Sequence, residues 1–320
     1  FMGIFSMKNY NKPGKGVDPL EPKSEGAVLF FEIFIRKFWK FIQVNLLFCL
    51  ANIPTFLIVF FLSGTVSNAV YGTFSNQIAS MVGLSAPDFS NSDFSAMYIT
   101  IDLGIRAFVT ILFTVFWGMG PVSAGMHYIL RNYSREENSF ILSDFWDAIK
   151  DNFKQSLAVY IIDLIALFVF FYGITFYSSQ TNFLKYGKYL VYCLFLFYAM
   201  VHLFLYPLMV RYKLTIGKLY RNAALFCLVS LPYSILVIVL LLLMTVGVGY
   251  LGIFMLSSGS FTVLFTIYLI FAVLLLYSFT GFIVSYNAEC QIRKHIDENA
   301  DVDEKPNYEK EEKPSGRRLY

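Results

Sequence analysis

The residues best placed to do chemistry in this chain are a carboxylate and an imidazole inside long apolar segments. Asp163 is the only charged residue between Lys154 and Lys185, and His202 lies in the next apolar segment. A carboxylate in hydrocarbon costs about 3 kcal/mol, so it is expected to face other helices and to have a partner. Because the two residues lie at similar depths on consecutive antiparallel segments, the sequence predicts a hydrogen bond or ion pair between them.

Two interpretations of this pair are open. The first is a proton-coupled or ligand-binding site that uses Asp163 and His202 within the membrane. The second is a structural contact between two helices, of a kind that contributes roughly 1 kcal/mol.

A second pair of opposite charges is Asp102 and Arg106. Their spacing of four residues places them on one face of a helix and favours an ion pair. The alternative is that Arg106 holds an anionic ligand, since no other basic residue lies near it in the sequence.

Small residues and prolines mark candidate positions of close helix packing or of kinks. Gly120 and Ala124 fit the small-xxx-small pattern of closely packed membrane helices, and Pro121 predicts a kink beside them. Close packing is one interpretation, and a gating hinge is the other. The candidate positions are Gly118, Gly120, Pro121, Ala124, Gly125, Pro207 and Pro232.

The elements that carry these residues are too apolar for a water-soluble domain. Of the 320 residues, 57% are hydrophobic and 15% are charged, against roughly 25% charged in soluble domains. No charged residue stands between Arg221 and Glu289. As a helix this stretch would measure about 100 Å, several times the roughly 30 Å of a bilayer core. The chain is therefore predicted to cross a membrane repeatedly.

Six segments are long and apolar enough to span the bilayer as helices. The predicted fold is all-α: a polytopic membrane protein with six transmembrane helices arranged as three hairpins. The predicted spans are residues 44–63, 100–128, 157–177, 189–210, 224–250 and 261–286.

The distribution of basic residues predicts the orientation. With six spans, 22 of the 25 Lys and Arg residues fall on one side, and only Arg106, Lys185 and Lys188 fall on the other. Basic residues are retained on the cytoplasmic side, so both termini are expected in the cytoplasm of a multi-pass cell-membrane protein.

The predicted organisation has three parts. Residues 1–26 form a flexible cytoplasmic N-terminus, residues 27–290 the transmembrane domain, and residues 291–320 a charged, disordered cytoplasmic tail. Within the domain, residues 27–43 are predicted as an interfacial amphipathic helix, with the cytoplasmic end of a long first helix as the alternative. Residues 64–99 form an extracellular loop, interpreted as a lid, a binding loop or a mobile linker.

A further amphipathic helix is predicted within the cytoplasmic residues 129–156. Residues 134–137 (SREE) resemble a capping box, and apolar residues then recur at helical spacing. This helix either docks a cytoplasmic partner or rests on the membrane surface. The candidate partner-facing residues are Phe145, Trp146, Ile149 and Phe153.

Motifs for catalysis are absent from the sequence. It contains no phosphate-binding loop, no HExxH, no CxxC pair and no GxSxG. The four scattered cysteines form no ligand spacing, and a net charge of +3 does not indicate nucleic acid. We expect no enzymatic activity, no cofactor and no metal.

Four segments, taken in order, resemble the YesL-like family of bacterial integral membrane proteins. They are residues 38–47 (FWKFIQVNLL), 120–126 (GPVSAGM), 143–154 (SDFWDAIKDNFK) and 206–208 (YPL). The resemblance extends from about residue 30 to the last span. It implies a Gram-positive bacterial origin and an association with carbohydrate ABC transporters and sugar-sensing regulators. It implies no established biochemical activity and no catalytic residues.

Three functions are weighed on these grounds. The first is a non-enzymatic accessory or regulatory protein of carbohydrate ABC-transport uptake, whose partners are the lipid bilayer and a permease or membrane sensor. The second is a small transporter or channel that uses the region of Asp163 and His202. The third, a membrane-embedded enzyme, ranks last because no reactive set of residues is visible.

Overall fold

The computed structural model describes residues 26–118, 120–247 and 261–297, and these residues are mostly helical with no β-strand among them. The predicted N-terminal segment 1–26 and the tail 291–320 lie largely outside the described residues. The helices are α1 (Gly26–Arg36), α2 (Phe38–Ala51), α3 (Ile53–Leu62), α4 (Gly64–Met81), α5 (Ser92–Phe116), α6 (Gly120–Ser134), α7 (Ile141–Ser178), α8 (Gly187–Arg211), α9 (Ile216–Val229), α10 (Leu231–Leu242), α11 (Phe261–Phe271) and α12 (Tyr277–Ile292). A 3₁₀ turn (Phe183–Tyr186) precedes α8, and π-helical turns (Leu243–Gly247, Ala272–Leu276 and Arg293–Asp297) follow α10, α11 and α12.

Among the described residues, four helical segments are long and apolar enough to cross a membrane. They are Ser92–Phe116, Ile141–Ser178, Phe183–Arg211 and Val263–Ile296. Two bent pairs, α2 with α3 and α9 with α10, raise the number to six if each pair forms one span. The chain is therefore a multi-pass membrane protein, and the part that the structure describes supplies four to six candidate spanning segments.

Both bends lie beside a proline at the start of the second helix of the pair. Pro54 is the second residue of α3, after a bend of 62°, and Pro232 is the second residue of α10, after a bend of 95°. Proline has no amide hydrogen and clashes with the carbonyl four residues earlier, so the preceding helix ends there. Pro207, in contrast, lies inside the unbroken helix α8.

Helix α6 occupies the centre of the structure. Thirteen of its 15 residues are buried, and it packs against α7, α12, α8 and α2. The segment predicted as one kinked span, 100–128, is instead two helices, α5 and α6, that flank Trp117 and Gly118. Pro121 is the second residue of α6, where its missing amide costs no hydrogen bond.

The contact between α6 and α7 requires glycine. A Cβ at Gly120 would overlap the carbonyl oxygen of Ser156, and a Cβ at Gly125 would lie 2.9 Å from Ile149 Cγ1. Ala124, on the same helix, is fully buried in the main core. The small residues therefore bring the two backbones close together. Of the two interpretations of this pattern, close packing is the one that this contact favours.

The predicted helix within residues 129–156 has different bounds. Helix α6 continues to Ser134, whose hydroxyl donates to the carbonyl of Leu130. The capping-box prediction is wrong, because α7 begins only at Ile141 and its first turn is held by Asp144, which accepts from the amide of Phe140. From there α7 runs without a break to Ser178.

Two other predicted segments are also divided differently. The region 27–43 contains α1 and the start of α2, with the boundary at Lys37. The predicted outer loop 64–99 is mostly helix, because α4 covers Gly64–Met81 and α5 begins at Ser92. The side chain of Asn91 caps α5 by accepting from the amides of Asp93 and Phe94.

Candidate functional site

The structure brings Asp163 of α7 and His202 of α8 together. His202 Nε2 lies 3.1 Å from Asp163 Oδ2, and the hydroxyl of Tyr198 donates to Asp163 Oδ1 over 2.5 Å. The Asp163 carboxylate is only 1% exposed. Each of its oxygens thus has a partner on α8, which is the arrangement that a buried carboxylate requires.

The local sequence explains this geometry. Helices α7 and α8 are joined by a short connection and run antiparallel, so residues at matching depths face each other. Tyr198 and His202 are four residues apart on α8 and therefore share the face that meets Asp163. Tyr198 was not found from the sequence, because a tyrosine in an aromatic-rich helix carries no distinctive signal.

A cavity of about 40 Å³ lies beside His202, where the end of α5 meets α6, α8, α10 and α12. Its wall contains an unusual share of polar side chains for the interior of an apolar protein. These are Thr114, Trp117, Ser123, His127, His202, Tyr206, Tyr277 and Thr280.

A second histidine, His127 of α6, lines the same cavity as His202. Its Nδ1 atom is 2.8 Å from the hydroxyl of Ser285 on α12. The ring of Tyr206 contacts both imidazoles: its centroid is 5.8 Å from that of His127, in a stacked geometry, and 5.5 Å from that of His202. Ser285 and Tyr206 were not identified from the sequence.

The dimensions of this site limit what it can bind. Pockets for small organic ligands typically measure roughly 300–1,000 Å³, and this cavity is far smaller. It fits water or a small ion and leaves no room for a sugar. Its polar groups are able to hold and exchange protons, because imidazole and carboxylate groups lie within hydrogen-bond distance. Among the described residues, no group of three His, Cys, Asp or Glu side chains is arranged to hold a metal.

The structure also brings together the outer pair, Asp102 and Arg106 of α5. Arg106 Nε lies 2.8 Å from Asp102 Oδ2, and the hydroxyl of Ser67 on α4 donates to the other carboxylate oxygen. The guanidinium lies against Gly64, where a Cβ would be 2.5 Å from Nη1. Asp102 and Arg106 thus form an ion pair within α5, which is the first interpretation given above. The hydrogen bond from Ser67 links this pair to α4.

The four candidate partner-facing residues of α7 divide into two sets. Phe145 and Ile149 are buried against α6, so the prediction that they face a partner is wrong. Its physical cause is the close approach of α6 at Gly125, which covers that side of α7. Trp146 and Phe153, on another side of the helix, are 42% and 48% exposed.

A charged cluster links the junction between α1 and α2 to the connection between α6 and α7. Arg36 pairs with Glu136 over 2.6 Å, and Lys37 Nζ donates to the carbonyl of Glu137 over 2.9 Å. Lys37 also lies 4.4 Å from the ring centroid of Tyr133. Burial, followed by the charges of Lys40 and Arg36, lowers the pKa of Lys37 from 10.5 to about 8.

The fold and the site define a class: a helical multi-pass membrane protein with a small polar cluster buried among its central helices. A family model described as "Protein of unknown function, DUF624" matches residues 104–174, from within α5 to near the end of α7. That family includes the YesL-like proteins. The matched region contains the Gly120 and Gly125 contacts, His127 and Asp163. No curated protein and no solved structure matches the chain.

Proposed function

We propose that this chain is a YesL-like protein that acts as a non-enzymatic accessory or regulatory component of a carbohydrate ABC-transport uptake system. In this proposal six helices cross the cell membrane as three hairpins, and both termini are cytoplasmic. The match to the DUF624 model and the four ordered sequence segments support the family. The concentration of 22 of the 25 basic residues on one side supports the orientation.

The observation that carries the proposal is the exposed apolar stripe on the N-terminal part of α7, formed by Leu142, Trp146 and Phe153. Their spacings of four and seven residues place them along one side of the helix. Charged residues are interleaved with this stripe, so hydrocarbon does not surround this part of α7. The interleaved residues are Asp144, Asp147, Lys150, Asp151 and Lys154.

The length of α7 argues against the alternative that this stripe lies flat on the membrane. Helix α7 has 38 residues, or about 57 Å, whereas a bilayer with its headgroups is roughly 40–45 Å thick. Because α7 is continuous with its spanning part, its first turns extend beyond the headgroups. An apolar stripe in that position suits a protein partner, such as the cytoplasmic face of a permease.

The experiment compares two double variants of the tagged, full-length protein in its native membrane. Trp146→Ala with Phe153→Ala removes both aromatic side chains of the stripe, and Phe168→Ala with Phe171→Ala removes two exposed aromatic side chains from the apolar part of the same helix. We expect the wild type and the second variant to co-purify a carbohydrate ABC permease in fixed stoichiometry, and the first variant to lose it. Equal recovery of the permease by both variants, or no permease with the wild type, contradicts the proposal.

The second candidate function is a small transporter or channel that uses the region of Asp163 and His202. The polar cavity beside His202 favours it, although the volume restricts the cargo to protons, water or small ions. The purified chain, reconstituted alone in liposomes, tests this function. Uptake of a sugar by such liposomes would overturn the accessory proposal, and proton or ion flux that is lost in Asp163→Asn would support the second.

A further inference from the structure

Two polar atoms in the wall of the central cavity lack a hydrogen-bond partner. Tyr206 Oη and Trp117 Nε1 are both buried, and neither atom forms a hydrogen bond with a described residue. Tyr206 is 3% exposed and Trp117 is 9% exposed, so neither group reaches bulk solvent. A buried donor without a partner is costly, and such groups in native proteins are usually satisfied by internal water.

The size of the cavity matches that requirement. A water molecule needs roughly 10–15 Å³ of such volume, so about 40 Å³ holds about three. Each buried water also needs two to four polar partners. Tyr206 and Trp117 supply two partners, and the imidazoles of His127 and His202 line the same space.

The two histidines each use one ring nitrogen for a protein partner. His127 engages Ser285 through Nδ1, and His202 engages Asp163 through Nε2. No described residue forms a hydrogen bond with the second nitrogen of either ring, His127 Nε2 or His202 Nδ1, and both imidazoles line the cavity. The ring of Tyr206 packs against both imidazoles, and all three side chains line this cavity.

We infer that this cavity is a permanent internal hydration site whose few water molecules join Asp163 and His202 to His127 and Ser285. Hydrogen bonds through this water would connect α7, α8, α6 and α12. The ligand is water rather than an organic molecule because of the volume, and the wall offers both donors and acceptors for it. This inference is independent of the accessory function proposed above.

The first test removes a single oxygen atom. Tyr206→Phe should lower the melting temperature of the detergent-solubilised protein if the hydroxyl binds water, because a satisfied hydrogen bond is lost. If the hydroxyl is dry and unpaired, the same change should leave the melting temperature unchanged or raise it, which would overturn the inference.

Two control variants calibrate the change in melting temperature. Tyr277→Phe removes a direct hydrogen bond to Thr114, and Tyr172→Phe alters an exposed side chain on α7.

The second test measures the unmodified protein, and variants are needed only to assign its signals. The chain contains three tryptophans, so selective ¹⁵N labelling gives three indole signals, and Trp117→Phe assigns the one of interest. Trp39 and Trp146 are exposed and serve as references. We expect a rotating-frame cross-relaxation peak between the Trp117 indole proton and water, with the sign opposite to chemical exchange. Absence of this peak would overturn the inference, as would a shift of the Trp117 signal when nitrate replaces chloride, which would indicate an anion.

Discussion

Arg211 of α8 and Glu289 of α12 form a buried ion pair, with Arg211 Nη1 2.7 Å from Glu289 Oε1. The same oxygen lies 3.7 Å from Arg135 Nε, just beyond the end of α6. Only 5% of the Glu289 side chain is exposed. One carboxylate therefore ties α8, α12 and the connection after α6 together at the ends of these helices.

Loss of this carboxylate should destabilise the protein strongly. Glu289→Ala removes the carboxylate that pairs with the largely buried Arg211, and breaking a buried pair in this way costs about 3–5 kcal/mol. We expect a large drop in the melting temperature of the detergent-solubilised protein. The control is Lys150→Ala, which breaks the exposed Lys150–Asp147 pair on α7 and should cost less than about 1 kcal/mol. Equal effects of the two substitutions would contradict the assigned role of Glu289.

The contact between Asp163 and His202 permits a test that separates its two interpretations. His202→Leu alone leaves a buried carboxylate with Tyr198 as its remaining partner, and we expect a cost of about 1–3 kcal/mol in stability. The triple change Asp163→Leu, His202→Leu and Tyr198→Phe removes all the polar groups of the contact, so it should recover much of that loss.

The readouts are the melting temperature and the recovery of the permease with the tagged protein. A triple variant that is stable and still recovers the permease indicates a structural contact. A triple variant that is stable but loses the permease indicates a functional site. Unchanged stability in His202→Leu would show that the contact contributes nothing to the fold.

Much of the membrane organisation could be predicted from the sequence, because hydrocarbon imposes strict rules on composition. Long uncharged segments must be helical, and an isolated charge such as Asp163 must find a polar partner. The proximity of Asp163 to His202 and of Asp102 to Arg106 follows from depth and helical spacing alone. These inferences need no knowledge of how distant helices pack.

Other features of the site depend on tertiary packing, which no local pattern encodes. Ser285 and Tyr206 meet His127 only because α6 is enclosed by α8 and α12. The prediction that Phe145 and Ile149 face a partner was wrong for the same reason. The sequence shows that they lie on the apolar side of an amphipathic helix, but it does not show that α6 covers that side. The ion pairs of Glu289 could not be predicted, because its arginine partners lie far away in the sequence.

The close approach of α6 to α7 predicts that Gly120 tolerates no side chain. In Gly120→Ala the new methyl group would overlap the Ser156 carbonyl and lie 2.9 Å from Tyr160 Cβ, both of which belong to a packed helix. Overpacking of this kind costs about 1–3 kcal/mol or more. We expect a lower melting temperature and reduced yield of folded protein.

Gly173→Ala on α7 is the matched control for this substitution. There the new methyl group would lie 3.5 Å from Val191 Cγ1, an ordinary contact, and alanine favours a helix by up to about 1 kcal/mol. This variant should be as stable as the wild type or more so. Similar melting temperatures for the two variants would show that α6 and α7 are less closely packed than the structure indicates.

The lowered pKa of Lys37 predicts that stability depends on pH in a specific range. In the unfolded chain Lys37 has a pKa near 10.5, and in the folded protein its pKa is about 8. Between these values the unfolded chain holds a proton that the folded protein has released, so stability should rise as pH increases from about 8 to 10.5. Below about pH 8 Lys37 is protonated in both states, so it does not make the stability depend on pH.

Melting temperatures measured from about pH 8 to 10.5 test this prediction. They should rise in the wild type and in Lys150→Met, which alters an exposed lysine, and should rise less in Lys37→Met. An identical pH profile for Lys37→Met and the wild type would mean that the Lys37 ammonium is not buried between α1 and the connection that follows α6.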